Sequence, residues 1–180
     1  MNAKQRLNEA LTDYFQLSAT LATDLEVLLS QYSDSAAWKR NFVRVTMALL
    51  EGYGHSFRRI CAVGLESDLQ ELSRKEILIL RKDRSFAVNE RLKHTLLAAY
   101  KLFDLESEPS FDGKEWFQAL RLMKKRDQIV HAKLLIDLDV PEDKWQQLYD
   151  GTLWLISLFT GFVAALGEKH PQLRDRGFSE

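Results

Sequence analysis

Residues 36–65 read AAWKRNFVRVTMALLEGYGHSFRRICAVGL and contain no proline. Apolar side chains recur along this stretch at near-helical spacing: Phe42, Leu49, Tyr53, Phe57 and Ile60. A period of about 3.6 residues places such positions on one face of an α-helix. The preceding Ser33–Ser35 supplies the hydroxyl and carboxylate groups that cap helix N-termini. The stretch therefore predicts a long amphipathic helix.

The rest of the chain has the same helical character, because only three prolines interrupt it and long proline-free segments favour helices. Further helices are predicted over residues 3–30 (with a break near Ser18 as an alternative), 89–103, 114 to about 135, and 141–166. Segment 73–80, SRKEILIL, fits either a helix capped by Ser73 or a strand. The predicted fold is an all-α, single-domain bundle of roughly five to seven helices over residues 1–180, with a polar tail at 168–180.

The composition limits the classes of protein to which the chain can belong. With 180 residues, 46% hydrophobic and 28% charged, the chain resembles an ordinary globular domain with a sizeable core. A net charge of −1 gives the whole chain no electrostatic reason to coat nucleic acid or a membrane. The lone Cys61 suits a reducing compartment and lies in an apolar helical pattern that predicts burial. The first residues lack the features of a secretory signal, so we expect a cytoplasmic protein.

Residues 151–167, GTLWLISLFTGFVAALG, carry no charge. A membrane-spanning helix needs ~20 predominantly apolar residues. This segment is shorter, and Asp150 and Glu168 bracket it. It predicts a core helix, and no membrane contact is expected.

Common catalytic motifs are missing from the sequence. It has no glycine-rich phosphate loop, no GxSxG elbow and no cysteine pair for zinc. The four histidines are widely scattered: His55, His94, His131 and His170. We therefore predict neither a metal nor a cofactor, although a site assembled from distant residues remains open.

Residues 121–133, RLMKKRDQIVHAK, carry five cations and one carboxylate. On a helix, Asp127 and His131 share a face, where the carboxylate can orient the imidazole and favour its charged form. Arg126 lies on the neighbouring stripe. A proton carrier beside a fork-shaped cation is what phosphodiester cleavage requires, and two copies meeting across a two-fold axis could surround the phosphate. The alternative is a solvated or interhelical salt-bridge role.

The sequence RDQIVHAK at 126–133 resembles the signature of the HEPN superfamily (higher eukaryotes and prokaryotes nucleotide-binding domains). That signature is an Arg, a polar residue, a few variable residues and a His on a late helix of a small all-α bundle. The stretch WKRNFVRVTMALLEGYGHSFRR at 38–59 is similar to the arginine-rich early helix of some bacterial members. The resemblance covers about residues 36–166, and only the short signature is specific.

The resemblance implies a metal-independent endoribonuclease that works as a homodimer through attack of the RNA 2′-hydroxyl, as in many toxin–antitoxin and phage-defence systems. Other members have lost activity and serve as binding or scaffold domains. By the resemblance, His131 would move protons, Arg126 would hold the scissile phosphate and Asp127 would orient His131. Two departures are Asp127 in place of the more usual Asn, and Ala132 where Pro is frequent. The added negative charge would weaken RNA binding unless Asp127 is tied to His131 or Arg126.

Neighbouring polar residues are candidates for contacts with RNA: Lys124, Lys125, Lys133, Glu51 and Arg44. The first function hypothesis is thus an endoribonuclease with RNA, a second copy and an antitoxin or other protein as partners. The alternative is a non-catalytic helical module that binds a protein, RNA or a nucleotide. Glu51, Arg44 and His55 lie on one helical stripe, which would extend the site if it faces residues 126–131; the alternative is a solvated polar face.

Overall fold

The computed structural model describes residues 3–64, 72–81 and 85–169, and within them every regular element is helical. The elements are α1 (Ala3–Ser30), α2 (Ala36–Gly64), α3 (Arg74–Arg81), α4 (Val88–Leu102), α5 (Lys114–Val130), a short 3-10 helix (Leu135–Leu138) and α6 (Glu142–Lys169). The predicted all-α bundle is confirmed. The predicted polar tail lies outside the described residues except for its first two positions, which belong to α6.

Local capping explains where two of these helices begin. The Ser35 hydroxyl accepts a hydrogen bond from the backbone N–H of Trp38 at 3.2 Å, so the predicted N-cap of α2 is confirmed. Ser73 and Glu76 form a reciprocal pair, in which each side chain accepts the other's backbone N–H, at 3.2 and 2.6 Å. This capping box makes the SRKEILIL segment a helix rather than a strand. The considered break near Ser18 is absent, because α1 is continuous there.

The chain divides into two compact units. The first comprises the described residues of 1–17, 52–110 and 158–180, and the second comprises 18–51 and 111–157. The prediction of a single domain stays a prediction.

The first unit has an aromatic core. The ring of Phe57 lies 4.6 Å from that of Phe162, 4.9 Å from that of Phe159 and 5.3 Å from that of Tyr14, centroid to centroid. Such edge-on and tilted contacts stabilise packed aromatic clusters. Cys61 is fully buried beside this core, as predicted, and burial raises the pKa of its thiol to about 12.

The second unit, which holds all the candidate site residues, is built around tryptophans. Trp38, Trp116 and Trp145 are each less than 9% exposed and belong to the core of this unit, whereas Trp154 is partly exposed. The buried Lys39 ammonium pairs with Glu142 at the start of α6 and thereby ties that helix to α2. Paired in this way, a buried charge avoids a large desolvation cost.

A close contact between α5 and α6 sets the geometry of the second unit. A Cβ atom added at Gly151 would lie 2.7 Å from the backbone nitrogen of Ala119 and 2.7 Å from the backbone carbon of Gln118. Because glycine has no Cβ, the two helix backbones can approach this closely. Gly151 thus positions α5 against α6.

In the described part of the chain, α6 is the one helix that is long and apolar enough to cross a membrane by length and composition. A core helix passes the same test. One row of its side chains is 0–3% exposed, as a core helix requires: Leu155, Phe159, Phe162 and Leu166. Over the whole apolar window of α6, however, only 33% is buried, so the core role of this helix stays a prediction.

Candidate functional site

The C-terminal end of α5 differs from the prediction of a helix to about residue 135. The helix ends at Val130, and His131 is its C-cap residue with φ −111° and ψ 32°. The backbone N–H of His131 still donates to the carbonyl of Asp127 at 3.0 Å. His131 therefore lies at the very end of α5, and its side chain is exposed.

Asp137 explains why α5 stops. Its carboxylate accepts hydrogen bonds from the backbone N–H groups of Lys133 and Leu134, both at 2.9 Å. If the helix continued past Val130, it would need these N–H groups for its own backbone hydrogen bonds. These two hydrogen bonds lower the pKa of Asp137. This role of Asp137 was not predicted from the sequence. The sequence signal that could have indicated this role is the position of Asp137 in the short segment before the helix predicted from residue 141.

Arg126 lies between two carboxylates. Its Nη2 is 2.7 Å from Oε1 of Glu51, and its Nη1 is 2.9 Å from Oδ1 of Asp127. The Arg126 side chain is 25% exposed, whereas those of Glu51 and Asp127 are 39% and 60% exposed. The cluster is thus accessible to solvent and carries one negative charge in excess.

This arrangement brings together Glu51, Arg126 and Asp127, which the sequence placed on two separate helices. Asp127 is tied to Arg126, the second of the two partners considered for it. Within the described residues, the exposed side chain of His131 makes no hydrogen bond or ion pair, so Asp127 does not orient it here. Arg44 is also exposed, and its Nη1 donates to Oδ1 of Asn41 at 3.3 Å instead of joining the cluster.

Lys124 and Lys125 line a separate open cleft of about 550 Å³ in the second unit. Its walls come from α5, from the connection that follows it and from α6: Arg121, Lys124, Lys125, Gln128, Ile136, Asp139, Pro141, Asp143, Lys144, Gln147 and Leu148. The lining holds four cations and two carboxylates, a formal charge of +2. Burial lowers the pKa of Lys125, Asp139 and Asp137 oppose this effect, and Lys144 adds a smaller lowering.

An exposed apolar segment follows His131. Leu134, Leu135 and Ile136 are 66%, 88% and 71% exposed, and Val130 before them is 48% exposed. Val130 and Leu134 both fall within the helix that the sequence predicted to about residue 135. Contiguous exposed apolar side chains of this kind mark interaction surfaces. Lys133, within the same segment, is exposed as well.

Comparison of the chain with protein-family models, curated proteins and solved structures gave no match. Among the described residues, no group of three or more His, Cys, Asp or Glu side chains could hold a metal ion. Residues 121–136 and their contacts are therefore the basis for assigning a function.

Proposed function

We propose that the chain is a HEPN-like, metal-independent endoribonuclease whose His131 and Arg126 act in a cleft shared by two copies. The observation that carries the proposal is the position of His131. Its imidazole is open to solvent at the end of α5, five residues after a guanidinium that two carboxylates hold in place. Histidine is the side chain that most often transfers protons in general acid–base catalysis.

The chemistry needs one proton acceptor and one proton donor. His131 of one copy would take the proton of the RNA 2′-hydroxyl, whose oxygen then attacks the adjacent phosphorus. The bond to the 5′-oxygen breaks, and a protonated His131 from the second copy would supply the proton that this leaving oxygen needs. Arg126 would stabilise the charge that develops on the non-bridging oxygens, and the products would be a 2′,3′-cyclic phosphate and a 5′-hydroxyl.

A phosphate that binds the outer N–H groups of Arg126 would compete with its carboxylate partners. Asp127 is the more exposed of its two partners and is the easier one to displace. Glu51 would then remain as the brace that keeps the guanidinium oriented. RNA binding by this site is therefore a competition between a phosphate and Asp127.

The test is cleavage of end-labelled RNA in EDTA by the wild type, His131→Ala and Arg126→Ala. Lys114→Ala is the matched control, since Lys114 is an exposed cation at the other end of α5. We expect His131→Ala to lower the rate by roughly 10²–10⁴-fold, the usual contribution of a general acid or base. The control should retain wild-type activity. Equal cleavage by all four proteins, or none by the wild type across several RNAs, would refute the proposal.

A second candidate is a non-catalytic module that binds another protein, and the exposed segment Leu134–Ile136 favours it. Burying one such side chain contributes about 1.5–3 kcal/mol to association. Light scattering of the wild type and Leu135→Ser separates the two candidates. A wild-type dimer that Leu135→Ser dissociates supports a surface between copies, whereas a wild-type monomer at micromolar concentration removes the shared-cleft mechanism and leaves the module.

A further inference from the structure

The segment that follows α5 has an ordered backbone and yet exposes its large aliphatic side chains. Leu134, Leu135 and Ile136 are 66%, 88% and 71% exposed. The carboxylate of Asp137 accepts hydrogen bonds from two backbone N–H groups of this segment, at 2.9 Å each, and the 3-10 helix Leu135–Leu138 follows. A surface that is ordered before its partner arrives loses little conformational entropy on binding. The segment is therefore suited to docking.

The same segment contributes to the cationic cleft between α5 and α6. Ile136 lines this cleft together with four cations: Arg121, Lys124, Lys125 and Lys144. Arg121 and Lys125 donate hydrogen bonds to neutral oxygens of the chain. In the part of the chain that the structure describes, the ammonium groups of Lys124 and Lys144 make no hydrogen bond or ion pair. Two positive charges that lack a carboxylate partner thus share one cleft with an exposed aliphatic side chain.

The charge and the aliphatic character of this surface distinguish the macromolecules that could cover it. A two-fold interface pairs a patch with itself, so a second copy docked here would bring together two clefts of formal charge +2. Single-stranded nucleic acid binds through aromatic stacking platforms, whereas the exposed side chains at 134–136 are aliphatic. Asp139 and Asp143, which also line the cleft, would repel its phosphates. A protein segment that carries carboxylates and aliphatic side chains complements both features.

The walls of the cleft indicate the form of that segment. They come from α5 and α6, whose backbones approach closely, and from the connection between them. A groove between two packed helices accepts the apolar face of a third helix. We propose that Leu134–Ile136 and the cationic cleft form a docking surface for an acidic amphipathic helix of another protein. Its aliphatic side chains would contact Leu135 and Ile136, and its carboxylates would pair with Lys124 and Lys144.

This docking surface uses none of the side chains assigned to RNA cleavage. The proposal therefore holds whether or not the chain is a ribonuclease. It also gives the non-catalytic module a partner of defined chemistry.

The test is a fluorescence-anisotropy titration of labelled peptides with the full chain. The probe is a helical peptide with leucine at positions i, i+3, i+4 and i+7 and glutamate elsewhere. One control peptide keeps the leucines and replaces each glutamate with lysine. The other control peptide keeps the glutamates and replaces each leucine with serine.

The protein variants are Leu135→Ser and the combination of Lys124→Gln with Lys144→Gln. Leu153→Ser and Lys114→Gln are the matched controls, because both residues are exposed and lie outside the docking surface. Circular dichroism establishes that each variant is folded. Since Leu135 is 88% exposed, its replacement leaves the core unchanged.

We expect the leucine–glutamate peptide to bind, and both control peptides to bind at least tenfold more weakly. Leu135→Ser should weaken binding of the leucine–glutamate peptide about tenfold or more, because it removes a leucine that the complex buries. An exposed ion pair contributes roughly two- to fivefold in affinity, so the double lysine variant should weaken binding about tenfold. The two control variants should bind like the wild type.

The proposal is overturned if the leucine–glutamate peptide does not bind, if the leucine–lysine peptide binds as tightly, or if Leu135→Ser binds like the wild type. Single-stranded RNA that displaces the peptide, with an affinity that depends on Lys124 and Lys144 but not on Leu135, would overturn it in favour of nucleic acid. A wild-type dimer that Leu135→Ser dissociates would overturn it in favour of a second copy. None of these measurements uses RNA cleavage, so failure of the docking proposal is distinguishable from failure of the ribonuclease proposal.

Discussion

Replacing Gly151 with alanine should destabilise the protein, and replacing Gly161 in the same helix should not. A Cβ at position 151 would lie 2.7–2.8 Å from backbone atoms of Gln118 and Ala119, whereas one at position 161 would meet nothing within 4 Å. Ordinary contacts begin near 3.4 Å, so α5 and α6 would have to separate by about 3.4 − 2.7 = 0.7 Å. Backbone cannot rotate away as a side chain can.

The two substitutions have the same effect on helix propensity, but they differ in the steric clash that the added Cβ makes. Both gain roughly 1 kcal/mol of helix propensity, because alanine loses less backbone entropy than glycine. Overpacking at residue 151 costs roughly 1–3 kcal/mol, and a clash with backbone favours the upper end. We therefore expect Gly151→Ala to lose about 2 kcal/mol of unfolding free energy, and Gly161→Ala to gain about 1 kcal/mol.

Thermal unfolding followed by far-ultraviolet circular dichroism measures the stability change that each substitution causes. For a chain of this length, 1 kcal/mol corresponds to about 2–4 °C in Tm, so Gly151→Ala should lower Tm by about 4–8 °C and Gly161→Ala should raise it by about 2–4 °C. A Gly151→Ala protein as stable as the wild type would refute the backbone contact. It would also remove the support for the cleft that this contact positions.

Three further predictions follow from single side chains. Asp127→Asn leaves Arg126 with one carboxylate, so we expect RNA affinity to rise in a filter-binding titration, and an unchanged affinity would contradict the competition with phosphate. Cys61 should react with thiol reagents only as fast as the protein opens, because its thiol is buried and its pKa is raised to about 12; rapid labelling of the native chain would argue against this. Burial raises the pKa of Glu76, but hydrogen bonds from Lys101 and Ser73 outweigh it and leave that pKa below 4.5. Its stabilising effect is thus present above pH 4.5 and lost as the pH falls through the lowered pKa, so the stability difference between wild type and Glu76→Gln in urea unfolding should shrink in acid.

Local interactions explain how much of the fold was predictable. Apolar spacing and capping act over three to five residues, so α2 and its Ser35 cap can be predicted from the local sequence. The burial of Cys61 follows in the same way, from its place in an apolar row. The excess of positive charge along residues 121–133 is also visible without any structure.

The site depended on contacts between residues distant in the chain. Whether α5 continues past Val130 was decided by Asp137, whose carboxylate competes for backbone N–H groups that the periodic pattern had assigned to the helix. Composition and spacing thus determined that the protein is helical and where its cations lie. The packing of α2 and α6 against α5 decided two further features: the ion pair between Arg126 and Glu51, and the contribution of Lys144 to the cationic cleft. The sequence could not show them, because side-chain partners that are far apart in the chain leave no periodic pattern.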